Sequence, residues 1–181
     1  MKFWGWLCVT LLATSASAAT DTSQSHIGFV FKQMNVPVAG HFKRFTADVR
    51  FDARRPEASR AAIAVDLASI DTGTREADEE AQGPDWFDTR RTPTAKFVST
   101  AVRRPTPDRY EVAGELSIKG RTRTVTIPIQ VERKASTIHY TGSFTLKRLD
   151  YAIGEGIWAD TATVADEVEV RFRIVQADRG T

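Results

Sequence analysis

Cysteine and histidine are scarce in this sequence. Its single cysteine, Cys8, lies near the start, and its three histidines, His26, His41 and His139, are far apart. A domain that loses Cys8 on processing has neither a disulfide nor a thiolate nucleophile, so it must be held together by its core. The histidines show none of the short spacings that are typical of a zinc site. We therefore expect no disulfide, no metal site and no cysteine chemistry.

Catalytic and phosphate-binding motifs are also missing. No Gly-x-Ser-x-Gly elbow is present, no glycine-rich phosphate loop follows a strand-like segment, and the Gly154-x-Gly156 pair fits a turn. The formal net charge is only +2, and no basic patch is interleaved with aromatic residues. Such a sequence has no footprint for nucleic acid. These absences favour a binding protein over an enzyme, with no cofactor and no nucleic-acid partner.

The apolar run near the start is too short to span a bilayer comfortably. It extends from Phe3 to Ala13, follows the basic Lys2 and precedes Ala16-Ser-Ala18. This order of a basic start, a short apolar stretch and a small-residue site is typical of a cleaved export signal, and fits an N-terminal membrane anchor less well. The sequence thus predicts a cleaved signal peptide over residues 1–18 and one domain over residues 19–181.

The clearest pattern that the sequence does contain is a strand hairpin between Tyr110 and Val131. Apolar residues recur at every second position up to Ile118, and the alternation resumes at Val125 after Gly120. Successive side chains of a strand point to opposite faces, so this period of two indicates two half-buried antiparallel strands joined by a short turn. Abundant Val, Ile, Thr and Tyr supports the assignment.

The same alternation returns along most of the chain. It predicts further strands over residues 27–31, 45–51, 63–70, 94–103, 138–146 and 168–174, with a break over 36–40. Residues 74–82 instead favour a short exposed helix, whose acidic residues form a solvated face rather than a metal site. About eight strands, one helix and no strand–helix–strand alternation indicate an all-β antiparallel sandwich or barrel.

Long charged side chains share one face of the predicted strands. They would crowd the lumen of an eight-stranded barrel, so we expect them outside and the apolar residues inside. On this face lie Lys32, Arg44, Arg50, Lys96, Glu111, Glu115, Lys147, Glu167, Glu169, Arg171 and Arg173. His26 and His139 share this polar parity and are expected to be exposed, whereas His41 falls on the apolar parity.

Several motifs, in this order, resemble the YceI-like, polyisoprenoid-binding periplasmic proteins. They are Ser69-Ile-Asp-Thr-Gly73, Asp85-Trp-Phe-Asp88, Pro93 with Phe97-Val-Ser-Thr100, Gly114-Glu-Leu-Ser-Ile-Lys-Gly-Arg-Thr-Arg123, Asp150-Tyr-Ala-Ile-Gly154 and Val164-Ala-Asp-Glu-Val168. The resemblance implies a lipocalin-like, eight-stranded antiparallel barrel with a short helical insertion, and a periplasmic location. One departure is Arg75-Glu-Ala-Asp78, which has no histidine where many members carry one. A ligand role that depends on that histidine in other members therefore cannot be assigned to this sequence.

The resemblance also implies an elongated apolar cavity that holds an isoprenoid lipid, either a polyprenol or an isoprenoid quinone. The residues expected to contact it are Phe29, Phe31, Phe45, Val49, Ile63, Val65, Trp86, Phe87, Phe97, Leu116, Ile127, Tyr140, Phe144, Trp158 and Phe172. Without the resemblance, the inward aromatics would more simply fill a core. Trp86, Phe87 and Trp158 lie in connections, where they either plug the barrel or form its mouth. The small residues Ala47 and Gly142 are expected to leave space for the chain.

Two functions follow. The first is a periplasmic carrier of an isoprenoid lipid; transient contact with the inner membrane or with a membrane quinone enzyme, and a homodimer, stay open. The second is an enzyme acting on an isoprenoid or another small apolar substrate in the same cavity, with Asp71, His41 or Asp88 as acid–base groups. A cavity-facing carboxylate with a raised pKa would favour the enzyme.

Overall fold

The computed structural model describes residues 20–178 except residue 22, and the predicted signal peptide lies outside this range. Ten strands form one antiparallel sheet, and a short helix interrupts them. The elements are β1 (His26–Gln33), β2 (Val36–Phe42), β3 (Phe45–Arg50), β4 (Arg60–Asp66), β5 (Ile70–Asp71), α1 (Arg75–Ala81), β6 (Thr94–Thr106), β7 (Arg109–Ile118), β8 (Arg121–Lys134), β9 (Thr137–Lys147) and β10 (Glu167–Ala177). Among these residues no helix is long and apolar enough to cross a membrane.

The strands follow the order β3-β4-β6-β7-β8-β9-β10-β1-β2-β5, so β3 and β5 are the edges of a strongly curled sheet that forms a half-barrel. The prediction of an all-β, barrel-like fold is confirmed, with ten strands in place of about eight. Part of the difference is β2, which covers the predicted break. Pro37 lies where β2 pairs with β1 alone, and a proline is tolerated where one side of a strand has no partner.

The predicted hairpin is β7 and β8, paired from Arg109 to Ile118. Only Lys119 and Gly120 connect the strands, and both have positive φ, 48° and 74°. Two such residues form the kind of tight turn that matches the twist of a hairpin. Glycine adopts this conformation freely, whereas Lys119 is held there with its side chain reaching across the end of the sheet.

The free edge of β3 is bridged by side chains instead of by another strand. The Gln176 side-chain amide on β10 donates to the Val49 carbonyl at 2.8 Å, and the Thr20 hydroxyl donates to the Ala47 carbonyl. These bonds satisfy two edge carbonyls, which an open sheet would leave for pairing with another chain. The half-barrel is thus joined across this gap without a backbone ladder.

The short helix appears where the sequence predicts it. The Ala77 backbone N–H donates to the Thr74 hydroxyl at 3.3 Å, so Thr74 caps the helix that begins at Arg75. Within the described part of the chain, no group of three or more acidic, histidine or cysteine side chains is placed to hold a metal ion. His139 differs from expectation: it is 7% exposed, because Thr137 and Arg173 cover it and contact its ring nitrogens at 2.9 and 3.2 Å.

Candidate functional site

An apolar cavity of about 150 Å³ lies inside the curled sheet. Eight of the ten strands, all except β2 and β5, curve around it. Alternate side chains along these strands form its wall. Its lining residues are Ile27, Val49, Ala61, Ile63, Val65, Ala95, Lys96, Phe97, Val112, Leu116, Ile127, Ile129, Tyr140, Phe144, Val170, Phe172 and Ile174. Apart from Lys96 and Tyr140, every lining side chain is a hydrocarbon. The site can therefore hold an apolar group and offers it few polar contacts.

Nine of the fifteen residues that the sequence marks as ligand contacts lie on this lining. They are Val49, Ile63, Val65, Phe97, Leu116, Ile127, Tyr140, Phe144 and Phe172. Sequence reasoning missed Ile27, Ala61, Ala95, Lys96, Val112, Ile129, Val170 and Ile174. All but Lys96 could have been found, because each lies on the inward-facing side of its strand, which the alternation of apolar residues identifies.

The other six, Phe29, Phe31, Phe45, Trp86, Phe87 and Trp158, do not line the cavity. Phe45 packs against the buried cluster that contains Ile27 and Tyr140. The remaining phenylalanines form a chain of ring contacts through Phe42, which lies 5.5 Å from Phe29 and 6.1 Å from Phe87 between ring centroids. Phe31 stacks on Phe29 at 6.3 Å.

Strand glycines decide where some of the rings lie. A Cβ added to Gly142 would sit 2.7 Å from the Phe172 ring, and one added to Gly40 would collide with the Phe29 ring. Each ring therefore lies over the glycine of the neighbouring strand; Phe172 still lines the cavity there, whereas Phe29 does not. The expectation that Gly142 leaves space for a ligand is wrong, because Phe172 fills that space. Ala47 likewise packs against a buried cluster and is not part of the cavity wall.

Connections close one end of the half-barrel, and we call residues 83–88 and 148–158 together the cap. At its centre is Arg148, which is only 1% exposed. Its guanidinium donates at 2.7–3.1 Å to five backbone carbonyls, those of Ile153, Gly154, Trp158, Val164 and Ala165. These acceptors use all five N–H groups of an arginine. Arg148 thus holds the second half of the cap in one conformation.

Lys119, at the turn between β7 and β8, fastens the two halves of the cap. Its ammonium donates to the carbonyls of Pro84 at 2.8 Å and Ala152 at 2.7 Å, and pairs with Glu155 at 3.0 Å. The Asp85 carbonyl also accepts from the N–H groups of Gly154 and Glu155, both at 2.8 Å. Trp86 and Phe87 are held by these contacts against the buried cluster beneath them. The cap is closed in this structure.

Tyr140 brings the one hydroxyl to the cavity lining. Its O–H donates to the Gln176 side-chain oxygen at 3.2 Å, and the Gln176 amide holds the β3 edge. Burial raises the pKa of the Tyr140 phenol well above its usual value, so it stays neutral. This hydroxyl is already engaged with the protein and adds no charge to the site.

The three candidate acid–base residues lie away from the cavity. His41 is opposite Gly28, on the face of the sheet that carries His26, and its ring is 5.5 Å from that of His26. The Lys43 ammonium, 2.7 Å from Asp71, and the Gly73 N–H hold the pKa of that carboxyl below its usual value. Asp88 lies in the connection before β6, 3.9 Å from Arg91. None of the three is among the lining residues, so the described part of the chain brings no carboxylate and no imidazole to the cavity wall.

Comparisons with known proteins agree with this architecture. A family model described as a YceI-like domain matches residues 19–176. A UPF0312 protein of Pseudomonas syringae pv. tomato is 30% identical over 166 residues, which cover 88% of this chain and 81% of the relative.

Two solved structures superpose well. BcnA of Burkholderia cenocepacia has a TM-score of 0.84 at 40% identity, covering 86% of this chain and 98% of that one. A polyisoprenoid binding domain from Saccharophagus degradans, implicated in plant cell wall breakdown, has a TM-score of 0.73 at 16% identity, covering 90% and 98%. The second likeness shows a shared fold.

Proposed function

The chain belongs to the YceI-like family, and we propose from that premise that it is a periplasmic protein that binds and carries an isoprenoid lipid, a polyprenol or an isoprenoid quinone. The observation that carries the proposal is the cavity, with its almost wholly hydrocarbon wall. The polyisoprenoid-binding domain of Saccharophagus degradans, which shares the fold, supports the same ligand class. Binding rather than catalysis is proposed because the wall holds no carboxylate and no histidine.

The cavity is too small to hold a long isoprenoid chain without some movement of its wall. At about 150 Å³ it equals an engineered core cavity that holds a benzene molecule. A tail of several prenyl units is larger, so binding requires the wall side chains to move apart. Among the described residues, the β3 edge is bridged by the side chains of Gln176 and Thr20, so it can widen without breaking a backbone ladder.

Affinity should come from the tail. Each Å² of apolar surface removed from water contributes roughly 25 cal/mol, and ordering a flexible chain offsets part of this gain. In a titration of quinones with one head group and graded tails, we expect affinity to rise with tail length, to depend little on salt and to show a negative heat-capacity change. Affinity that follows the head group and ignores the tail would refute the proposal.

The periplasmic part of the proposal predicts processing between Ala18 and Ala19. The mature protein should begin at Ala19 or within a residue or two of it, and should be recovered in the periplasmic fraction, because the preceding residues form an export signal. N-terminal sequencing of the fractionated protein measures this. Recovery of an intact Met1 from membranes would contradict it.

A further inference from the structure

Trp86 in the cap has a hydrogen-bond donor without a partner. Its Nε1 atom is buried, and no acceptor reaches it among the residues that the structure describes; no other buried side-chain nitrogen or oxygen of those residues is in this position. A buried donor that forms no hydrogen bond costs about 1–3 kcal/mol relative to a satisfied one. Native proteins rarely retain such a group unless a ligand or water satisfies it.

The indole N–H of the neighbouring tryptophan, Trp158, does have a hydrogen-bond acceptor. The Trp158 ring lies 5.6 Å from the Trp86 ring, and its Nε1 donates to the Glu80 carboxylate at 2.9 Å. In the second half of the cap, the carbonyls of Ile153 and Gly154 accept from Arg148. The Trp86 donor is therefore without a partner in a cap whose Arg148, Lys119 and Trp158 donors are all engaged.

Trp86 also lies next to the cavity. It packs against a buried cluster that includes Ala95 and Leu116, and both residues line the cavity as well. A chain that occupies the cavity and extends toward the cap would bring its end to the Trp86 indole. The Arg148 guanidinium lies 5.9 Å from the centre of the Trp86 ring, so the indole is packed beside the best-anchored group of the cap.

We propose that Trp86 Nε1 donates a hydrogen bond to a neutral carbonyl oxygen on the head group of the lipid, so that the head lies under the cap and the tail fills the cavity. This inference rests on the proposed function. A neutral carbonyl, as in an isoprenoid quinone, fits better than a prenyl diphosphate. Every N–H of Arg148 and of the Lys119 ammonium is already bound to a protein oxygen, so neither cation is free to compensate a buried diphosphate.

The test compares two ligands on the mature protein: an isoprenoid quinone, and an isoprenoid hydrocarbon of similar length without oxygen. Trp86→Phe keeps an aromatic ring and removes the N–H. It should weaken quinone binding about 3–10-fold more than hydrocarbon binding, as expected for one net hydrogen bond. Trp158→Phe is the matched control, since its N–H is used by Glu80, and it should change both affinities by the same factor.

A second measurement needs no variant. After residue 18 the chain contains only Trp86 and Trp158 as tryptophans, so a ¹⁵N-labelled sample gives two indole N–H resonances. We expect the Trp86 resonance to shift downfield with quinone and not with hydrocarbon. If both ligands bind and that resonance responds to neither of them, or if Trp86→Phe weakens the binding of both equally, the hydrogen bond is refuted and the proposed function stands. If the wild-type protein binds neither ligand, both proposals fail.

Discussion

Replacing Arg148 by methionine should destabilise the protein by on the order of 4 kcal/mol, a loss that is exceptional for one residue. Methionine fills much of the same space but donates no hydrogen bond. Five backbone carbonyls that now accept from the guanidinium would lose their partner in a region where Arg148 itself is 1% exposed. Each buried polar group left unpaired costs about 1–3 kcal/mol, and relaxation of the loop toward water recovers part of it. The free energy of unfolding, from denaturant titration of the mature protein, measures the effect.

Arg171→Met is the matched control for this experiment. Arg171 lies on the exposed face of β10, and its side chain pairs with Glu169 at 2.7 Å. Exposed pairs of this kind contribute about 0–1 kcal/mol. If the two variants lose equal stability, the cap does not depend on the buried guanidinium. Arg148→Lys should fall between them, because an ammonium has three N–H groups for five carbonyls.

Ala61→Leu should lower the affinity for a long isoprenoid at least tenfold. Ala61 lies on β4 and lines the cavity, so the added carbon atoms occupy the space of about 150 Å³ that the tail would use. Because that space is empty without ligand, the melting temperature should stay the same or rise, the reverse of creating a cavity. Ligand titration and thermal unfolding on the same preparation measure both quantities.

The control variant is Ala62→Leu, one residue further along β4. Ala62 is exposed and paired between Asp48 and Val98, so its side chain points away from the cavity. It should change neither affinity nor stability appreciably. The opposite pattern for Ala61→Leu, unchanged binding together with a loss of about 1–3 kcal/mol from overpacking, would mean that this region is a filled core.

The proposed exchange of a lipid requires either the cap or the β3 edge to open. The Arg148 and Lys119 contacts hold the connections over the cavity end, and all except the Lys119–Glu155 pair are made to backbone carbonyls. Such contacts do not depend on the identity of the neighbouring side chains. Widening at the β3 edge would break the side-chain bonds from Gln176 and Thr20 but no backbone ladder, whereas opening the cap would break the five Arg148 bonds.

The parts of the fold that short-range patterns specify could be predicted. The hairpin of β7 and β8 follows from a period of two interrupted at Gly120, and α1 follows from a capping threonine before a run of helix formers. The inward faces were also predictable, and nine of fifteen expected contacts lie on the cavity wall. β2 was missed because Pro37 and Gly40 resemble a break when the neighbouring strand is unknown.

Strand parity alone could not distinguish Phe29 from Phe144. Both are large, aromatic and on inward-facing positions, yet Phe144 lines the cavity while Phe29 lies over Gly40 of the next strand. Arg148 presents the same difficulty, since it follows a strand of alternating polar residues and resembles a surface arginine. The five carbonyls that accept from Arg148 come together only because residues 153–165 fold around its side chain.

By itself, then, the sequence determined the all-β class, the facing of the strands and the apolar character of the interior, because the alternation of side chains is a property of each strand's own backbone. The tertiary structure decided that a cavity remains, that Phe172 covers Gly142, and that the Trp86 N–H within the cap finds no acceptor among the described residues. These features depend on the distance between segments far apart in the chain, which is set by how strongly the sheet curls and where the connections cross its end.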